Sequence, residues 1–388
     1  MQKVDYMQDA RIAWLFPSLE FGAYWRPILA EFTRVFQHTD IYTGCTWRGL
    51  VSETANELAI QIVGETTFVS REAKEKAGYS RGFINASPKI VGYLLKKKPK
   101  VIFTSAFSIW TLLAVLLKPL LGAKIVILYD GSSPTIDALD SKPRTLIRKL
   151  ITCFTDAFVT NNQPARHYLI EHLKVNEQKV FQITYLVPDS KTLQVNSEQL
   201  HTLQANQTRP VFLFVGQIVY RKGIKSLLDA CAILNSKGYS NYTLLIAGSG
   251  PQQEEFEQLA QEYCLQDVVK WLGWIDYQQI GGYLQSADVF VFPTFEDIWG
   301  MVVLEAMLFG KPILCSKDAG AAELVIDGEN GYSFNPHSPQ ELAALMRCFV
   351  DQPELIHKMS EKSKQLMPQY TPEKAANSFA EVTLELLR

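Results

Sequence analysis

Short apolar runs alternate with amphipathic helical segments along the whole chain. Eight of these runs have the length and composition of buried strands, namely IAWLF, VIFTSA, KIVILY, DAFVT, VFLFVG, YTLLIAG, DVFVFP and KPILC. Strands that are separated by helices in this way pair in parallel, with the helices covering both faces of the sheet. The pattern therefore predicts an α/β protein with doubly wound sheets, which bind ligands at the carboxyl ends of their strands.

The length of the chain predicts two domains. Its 388 residues, 47% of them hydrophobic, are enough for two separate cores. A polar stretch at 191–209 precedes the fifth apolar run and is the predicted linker. We therefore expect one domain over residues 1–195 and a second over 208–370, followed by a last helix over 371–388.

Six cysteines are spread along the chain without a short paired spacing. This distribution predicts free thiols in a reducing compartment and not a disulfide framework or a zinc site. The first apolar run is short and follows acidic residues, so we expect a strand there and not a signal peptide. The best membrane-span candidate, 107–122, is broken by Lys118 and Pro119. We therefore expect a cytoplasmic chain that does not cross a membrane.

Residues 293–307, PTFEDIWGMVVLEAM, place acids around the start of a predicted helix. Glu296 and Asp297 precede the helix, and Glu305 follows one turn inside it. Backbone N–H groups at a helix start carry partial positive charge and suit a diphosphate. Glu305 can accept hydrogen bonds from a diol such as ribose. The alternative interpretation is an N-capped core helix with an exposed glutamate.

Further motifs stand at the ends of predicted strands in the second half. They are Gly216 followed by Arg221-Lys222-Gly223, then Gly248-Ser249-Gly250-Pro251, then Trp271-Leu272-Gly273. Together with the acidic turn, this order resembles the donor-sugar domain of family 4 glycosyltransferases over residues 208–345. The resemblance implies the GT-B fold, in which two Rossmann-like doubly wound domains face each other across a cleft. It also implies that the last helix packs back on the N-terminal domain.

The resemblance places the donor site in the second domain. Its donor-binding candidates are Gly216, Gln217, Gly248, Trp274, Glu296, Trp299, Gly300, Met301, Val302 and Glu305. Arg221, Lys222 and Asp297 are the catalytic candidates there. Fixed cations and N–H dipoles stabilise the charge that develops on a leaving diphosphate, and Asp297 would hold hydroxyls of the transferred sugar. The alternative for Arg221 and Lys222 is a solvated loop pair.

The first half is expected to bind the acceptor. Gly22 and Arg26 follow the first strand, where the family contacts the donor phosphates and the acceptor. Tyr24 and Trp25 either stack on a sugar face or cap the core. The KIVILY strand ends at Asp130, which the resemblance makes a catalytic candidate near the anomeric carbon. The alternative for Asp130 is a turn former.

Three positions depart from the family pattern. Asp297 is one methylene shorter than the usual Glu, and Glu296 is the alternative for its contact. Gln217 replaces an Arg after the first donor-domain strand, and Arg221 is the candidate substitute. Val187-Pro188-Asp189 stands where a Pro-Asn-Gly turn is usual. The first two departures bear on donor geometry and on the identity of the sugar.

Charge is distributed unevenly between the two halves. Residues 1–200 hold 24 Lys or Arg and 18 Asp or Glu, a net charge of +6, and residues 201–388 hold 14 and 22, a net charge of −8. The segment Leu94-Leu95-Lys96-Lys97-Lys98 either docks on anionic lipid or ends an ordinary helix, where lysines suit the dipole. An anionic membrane surface is therefore a candidate partner, whereas nucleic acid is not expected.

These features together predict a retaining glycosyltransferase of polysaccharide biosynthesis, with retention inferred from the resemblance alone. It would move a hexose from a UDP- or GDP-sugar to a hydroxyl of a glycan or lipid-linked acceptor, in the cytoplasm or at the inner face of the membrane. We expect no metal or other cofactor, since the sequence holds no Asp-x-Asp triad and no His/Cys cluster. One alternative is a nucleotide-sugar epimerase or phosphorylase of the same fold. Another is a catalytically silent binding relative, against which Arg221, Lys222 and Glu305 argue.

Overall fold

The computed structural model describes residues 9–18, 24–45, 58–71, 79, 81–137, 139–193, 195 and 207–388. The chain divides into two compact units. The first contains Met1–Ala73, Ser80–Val187 and Tyr370–Arg388, and the second contains Lys74–Tyr79 and Pro188–Gln369. The division after Val187 comes just before the predicted linker at 191–209.

The first unit is built on a seven-stranded parallel sheet. The strands of this unit are β1 (Ile12–Phe16), β2 (Thr39–Thr43), β3 (Ile60–Ile62), β4 (Thr66–Arg71), β5 (Arg81–Ala86), β6 (Val101–Ser105), β7 (Lys124–Tyr129), β8 (Ala157–Thr160) and β9 (Val180–Gln182). Seven of them pair in the order β3-β2-β1-β6-β7-β8-β9. The other two, β4 and β5, form a separate antiparallel hairpin. The strand order reverses between β1 and β6, and such a switch point is where doubly wound sheets bind ligands.

The second unit is built on a six-stranded parallel sheet. Its strands are β10 (Val211–Val215), β11 (Thr243–Ala247), β12 (Val269–Gly273), β13 (Val289–Phe292), β14 (Ile313–Ser316) and β15 (Gly331–Phe334). They pair in the order β12-β11-β10-β13-β14-β15. The order reverses between β10 and β13, so the loops after these two strands lie together at the switch point of this sheet.

Helices connect the strands of both sheets. In chain order they are α1 (Trp25–Val35), α2 (Ile90–Lys97), α3 (Ile109–Leu121), α4 (Pro134–Asp137), α5 (Lys142–Phe154), α6 (Gln163–His167), α7 (Ile224–Ser236), α8 (Gln253–Glu262), α9 (Ile280–Ser286), α10 (Met301–Leu308), α11 (Pro339–Asp351), α12 (Glu354–Leu366) and α13 (Pro372–Leu387). The first six and α13 belong to the first unit. None of the described helices is both long enough and apolar enough to cross a membrane.

Helices cover both faces of the first sheet. On one face, Ala13 and Leu15 belong to a core cluster with buried residues of α2, α3 and α5. On the other face, Trp14 stacks on Phe103 with 4.1 Å between ring centroids, and the ring of Phe379 from α13 lies 5.2 Å from Trp14. Every residue of β1 is buried, as is typical of a parallel strand that is covered on both sides.

All eight predicted strands are present in the structure. The helix that follows β1 begins at Trp25. Three further strands of the first sheet, β2, β3 and β9, are outside the eight predicted runs. The β4–β5 hairpin was not predicted, because its polar, half-exposed strands lack the apolar runs that mark the buried ones.

Candidate active site

The loop after β10 is held against the end of β13. It runs through a short 3-10 turn, Tyr220–Lys222, into α7. Gly223 closes this turn with φ +70°, and a Cβ there would lie 1.8 Å from the carbonyl oxygen of Pro293. The amide of Phe295 donates to the carbonyl of Arg221 at 2.8 Å. Because only glycine permits so close a backbone approach, the basic pair is fixed beside the acidic turn.

Lys222 and Arg221 both contact Asp297. Nζ of Lys222 donates to Oδ2 of Asp297 at 2.5 Å, and Nη1 of Arg221 lies 3.5 Å from the same oxygen. Nη1 of Arg221 also donates to the backbone carbonyl of Glu296 at 2.7 Å. The three ionic side chains are at most 13% exposed. Arg221 and Lys222 are therefore not a solvated loop pair, and both of them contact the carboxylate of Asp297.

Asp297 is ionised in this arrangement. Burial raises the pKa of its carboxyl, but Lys222, Arg221 and the N–H of Trp299 outweigh burial and hold the pKa below its ordinary value. Burial is also the main cause of the lowered pKa of Lys222. Two cations thus face the carboxylate of Asp297, and the carboxylate of Glu296 is buried in the same turn. Charge of this kind acts more strongly in a partly dry site than in bulk water.

Helix α10 starts directly after this cluster. Gly300 precedes it with φ +99°, and a Cβ there would lie 2.6 Å from the ring of Phe292. The amide of Trp299 donates to Oδ1 of Asp297 at 3.1 Å. The indole of Trp299 is buried in the core. The backbone of Trp299 therefore belongs to the candidate site, whereas its ring packs in the core next to the turn.

Glu305 lies one turn inside α10, after the half-buried Met301 and Val302. The side chain is buried, and Oε1 accepts a hydrogen bond from the hydroxyl of Tyr277 at 2.9 Å. Burial raises the pKa of Glu305 to about 7, against the opposing effect of the Tyr277 hydroxyl. The exposed glutamate of the alternative interpretation is excluded by this burial. The Tyr277 hydroxyl makes the kind of hydrogen bond that a ribose hydroxyl would make.

Glycine turns at the ends of β10 and β11 touch through their backbones. A Cβ on Gly248 would lie 1.8 Å from the carbonyl oxygen of Gly216, whose amide donates to the carbonyl of Ala247 at 3.0 Å. Gln217 follows in the same loop and is exposed. Trp274 follows β12 and is 71% exposed. These residues stand at the carboxyl ends of three neighbouring strands, where such a sheet binds ligands.

Tyr79 and Tyr277 belong to this site, and neither was predicted. The guanidinium of Arg221 lies 3.9 Å from the centroid of the Tyr79 ring, a cation–π contact that holds the guanidinium in place. The amide of Tyr79 donates to Oε2 of Glu296 at 3.3 Å, and its hydroxyl accepts from the amide of Ile298 at 3.4 Å. Tyr79 is far from these residues in sequence, so no local motif marks it.

Asp130 lies at the carboxyl end of β7 in the first unit. The hydroxyl of Tyr185 donates to its Oδ1. Burial raises the pKa of the Asp130 carboxyl, against the opposing effect of this hydrogen bond. Burial and the neighbouring Asp130 raise the pKa of Tyr24. Asp130 is thus a half-buried acid beside two phenols, which is a different setting from that of a surface turn former.

Trp25 caps the core instead of offering its face to a sugar. Its ring stacks on Tyr185 at 4.9 Å between centroids and meets Trp14 at 5.7 Å. Arg26, the next residue of α1, is half-buried. Gly22 lies outside the described residues. Of the two site residues predicted after β1, the structure therefore describes Arg26.

A cavity of about 400 Å³ opens beside α4 and α6 in the first unit. Its lining includes Ser132, Asp137, His167, Tyr168 and His172. Asp137 accepts hydrogen bonds from the hydroxyls of Tyr129, at 2.6 Å, and of Ser132. Arg148 donates to the carbonyl of Asp137 at 2.9 Å and to the hydroxyl of Tyr168 at 2.6 Å. The cavity wall ends in a π-helical turn, Tyr168–His172, a feature that is frequent at functional sites.

All six cysteines are free thiols, as predicted. Within the described ranges, no three His, Cys, Asp or Glu side chains are grouped so that they could hold a metal ion. Among the described residues, the cations at the switch point of the second sheet are those of Arg221 and Lys222.

Comparison with known proteins relates the second unit to a family. Residues 196–366 match the family model described as Glycosyl transferases group 1. An alpha-D-kanosaminyltransferase of Streptomyces kanamyceticus is 26% identical over 226 residues, which cover 57% of this chain and 58% of that protein. A glycogen synthase of Mycobacterium tuberculosis is 30% identical over 177 residues, which cover 45% of this chain and 42% of that protein. The chain thus spans about half the length of these curated relatives.

Solved structures extend the likeness to nearly the whole chain. Anabaena HepE in complex with UDP superposes with a TM-score of 0.77 at 17% identity, covering 97% of this chain and 100% of that one. A sucrose-phosphate synthase from Thermosynechococcus elongatus gives a TM-score of 0.75 at 20% identity, covering 97% and 99%. At these sequence identities, the similarity to the solved structures is evidence for the fold alone. The chain thus has the GT-B fold of these structures, and its residues 196–366 match the family model of the group 1 glycosyltransferases.

Proposed function

We propose that the protein is a retaining hexosyltransferase that takes its sugar from a nucleotide diphosphate sugar. The observation that carries this proposal is the pair of buried cations, Arg221 and Lys222, against Asp297 at the start of α10. Two adjacent cations that are largely removed from water are costly to desolvate. A site that receives an anion gains from such an arrangement.

The diphosphate of the donor would bind between the basic pair and the start of α10. Lys222 and Arg221 supply full charges, and the N–H groups that follow Gly300 supply dipoles. When the bond between the anomeric carbon and the diphosphate breaks, negative charge grows on the leaving oxygen. The cations are already fixed by Asp297 and Tyr79, so little reorganisation is needed as that charge develops.

The ribose would bind at Glu305. Its carboxylate now accepts from Tyr277, and a ribose hydroxyl can replace that donor without leaving a buried charge unpaired. Trp274 stands exposed after β12 and offers a flat surface for the nucleobase. The backbones of Gly216 and Gly248 are in close contact. Because neither residue has a side chain, this part of the site stays open to the ligand.

UDP-glucose is the first donor to test. Structures of Anabaena HepE were solved with UDP, with UDP and glucose, and with UDP-glucose, and that protein shares the fold of this chain. GDP-sugars are the second choice. Retention of configuration at the anomeric carbon rests on the family resemblance.

The acceptor would be a glycan or lipid-linked hydroxyl bound by the first unit. Asp130 is a half-buried acid at a strand end, and burial raises the pKa of its carboxyl, so we assign it to proton transfer with the acceptor hydroxyl. The cavity around Asp137 offers further hydroxyl, carboxyl and imidazole groups to a sugar. We include no metal in this scheme, because Arg221 and Lys222 already supply the charge that stabilises the leaving group.

A nucleotide-release assay with and without candidate acceptors tests the proposal. Wild type and the control Lys225→Ala, which alters an exposed ion pair of α7, should release UDP at similar rates. Lys222→Ala should be slower by about 10²–10³-fold. Conversion of the sugar without nucleotide release would indicate an epimerase. Failure to cleave any nucleotide sugar, with binding retained, would indicate a silent relative.

A further inference from the structure

The carboxylate of Glu305 has few partners for so buried an acid. Glu305 is 4% exposed, and among the described residues the hydroxyl of Tyr277 is the one hydrogen-bond donor to its side chain, at 2.9 Å. Asp156 and Asp288, whose side chains are less buried, each receive an ion pair and a backbone N–H. An ionised carboxylate can accept about four hydrogen bonds. Glu305 therefore keeps acceptor capacity that a ligand can use.

Tyr277 can leave this carboxylate without a change in the backbone. It begins the 3-10 turn Tyr277–Gln279, and the side chain of Asp276 fixes this turn by accepting from the amide of Gln278 at 3.0 Å. Although its hydroxyl reaches a buried acid, Tyr277 as a whole is 37% exposed. Rotation about its side-chain bonds is therefore enough to carry the phenol from Glu305 into solvent.

The phenol of Tyr277 is a permanent donor to Glu305. Burial and the charge of Glu305 raise the pKa of Tyr277, so the phenol keeps its proton and the carboxylate accepts it. A hydroxyl of ribose is a donor of the same kind. The two hydroxyls can therefore exchange on the same carboxylate oxygen.

We propose that Tyr277 is an internal competitor of the donor ribose and makes the site select a pair of neighbouring hydroxyls. In the free protein its hydroxyl takes the place of one ribose hydroxyl on Glu305. A ligand with a single hydroxyl exchanges one hydrogen bond for another and gains nothing. A ribose diol brings two donors for the one that it displaces, so it gains one charged hydrogen bond. This inference rests on the proposed function, because it assumes that the ribose binds at Glu305.

A different arrangement would leave Tyr277 in place and put the ribose on the second carboxylate oxygen. Tyr277 would then orient Glu305, and loss of its hydroxyl would weaken nucleotide binding. The burial of Glu305 favours exchange instead. A carboxylate that is 4% exposed can be reached only where a covering group moves, and Tyr277 is the partly exposed neighbour that contacts it.

The competition determines which ribose hydroxyls contribute to affinity. With Tyr277 present, the first hydroxyl contributes nothing and the second contributes a full hydrogen bond. Without the phenol hydroxyl both contribute, since no internal hydrogen bond is lost. Tyr277→Phe keeps the ring and removes only the donor, so it isolates this effect.

Calorimetric titration with UDP, 2′-deoxy-UDP and 2′,3′-dideoxy-UDP tests the proposal. Wild type is compared with Tyr277→Phe and with the control Tyr263→Phe, which removes a hydroxyl that donates to Oδ1 of Asp229 at 2.9 Å. Titration at about pH 9, above the pKa of about 7 that burial gives Glu305, keeps this carboxylate ionised. Thermal melting verifies that each variant is folded.

Wild type and Tyr263→Phe should bind 2′-deoxy-UDP no more tightly than 2′,3′-dideoxy-UDP, and UDP about tenfold more tightly than either. Tyr277→Phe should bind 2′-deoxy-UDP about tenfold more tightly than the dideoxy compound, and should exceed the wild-type affinity for UDP by about the same factor. An affinity for UDP that Tyr277→Phe leaves unchanged or lowers would overturn the proposal. So would an equal gain for the dideoxy compound, which would assign the effect to the ring.

The proposed function has a separate readout in the same experiment. If wild type binds UDP and Glu305→Ala weakens that binding, an unchanged affinity in Tyr277→Phe refutes the competition alone. If the folded wild type does not bind UDP, the donor site and the competition fail together.

Discussion

Nζ of Lys222 lies 2.5 Å from Oδ2 of Asp297, with both side chains almost completely removed from solvent. Arg221 approaches the same carboxylate at 3.5 Å. Asp297 thus acts as a counterion that keeps two cations folded against the start of α10. Both cations are therefore held where an incoming diphosphate can accept hydrogen bonds from them.

Loss of Lys222 should destabilise the fold. Lys222→Ala leaves Asp297 buried with Arg221 as its remaining cation, and a broken buried pair costs on the order of 3 kcal/mol. Lys225→Ala, which breaks an exposed pair with Asp229, should cost about 0.5 kcal/mol or less. Urea unfolding of both variants measures the difference. Equal losses in the two variants would show that the buried pair carries no special stability.

Glu305 should make stability depend on pH. Burial raises its pKa from 4.5 to about 7, so between these values the folded chain binds a proton that the unfolded chain does not. Stability from this group is therefore complete below pH 4.5 and is lost as the pH rises through 7. Relative to Glu305→Gln, wild type should lose roughly 3 kcal/mol over this window. Parallel stability curves for the two proteins would contradict the raised pKa.

Gly223 and Gly238 provide a matched pair of left-handed glycines. Their φ values are +70° and +80°, but only at Gly223 would a Cβ collide with the chain, 1.8 Å from the Pro293 carbonyl oxygen. Gly238→Ala should cost about 1–2 kcal/mol from its backbone conformation alone. Gly223→Ala should cost more and should also weaken nucleotide binding, because it displaces the basic loop. Calorimetric melting and UDP titration measure both effects, and similar behaviour of the two variants would argue against the close approach.

Turnover should depend on Arg221 and Lys222 more than donor affinity does. Each alanine variant should lower the rate by about 10²–10³-fold, because these cations act on charge that develops only as the diphosphate leaves. EDTA should have little effect on the wild-type rate. A double variant with activity within twofold of wild type, or full loss of activity in EDTA that manganese restores, would refute this role.

The strands and the glycine turns could be predicted from the sequence because they depend on local patterns. Apolar runs located β10, β11, β13 and β14 of the second sheet, but not β12 and β15. Burial at Glu305 and its contact with Tyr277 could not be predicted, since the two residues belong to different helical segments. Tyr79 is still more remote from Arg221 in the chain. Contacts between distant segments depend on tertiary packing, which no local motif encodes.

The sequence did not show whether aromatic residues near the candidate site lie in the core or contact a ligand. Trp25 and Trp299 stand next to candidate site residues, but both rings belong to the core. The exposure of Leu116 and Leu120 in α3 could not be predicted either. A helix such as α3, apolar on most sides, is usually buried, and the sequence does not show which of its sides lacks a partner.

Calorimetric titration with UDP tests the central claim, that the second unit binds a nucleotide diphosphate through Lys222 and Glu305. Wild type and Lys225→Ala should bind UDP with equal affinity. Glu305→Ala should bind more weakly by roughly 1.5–3 kcal/mol, the usual contribution of a charged hydrogen bond. Unchanged UDP affinity in Glu305→Ala, or no binding of UDP or GDP by a folded wild type, would contradict the account.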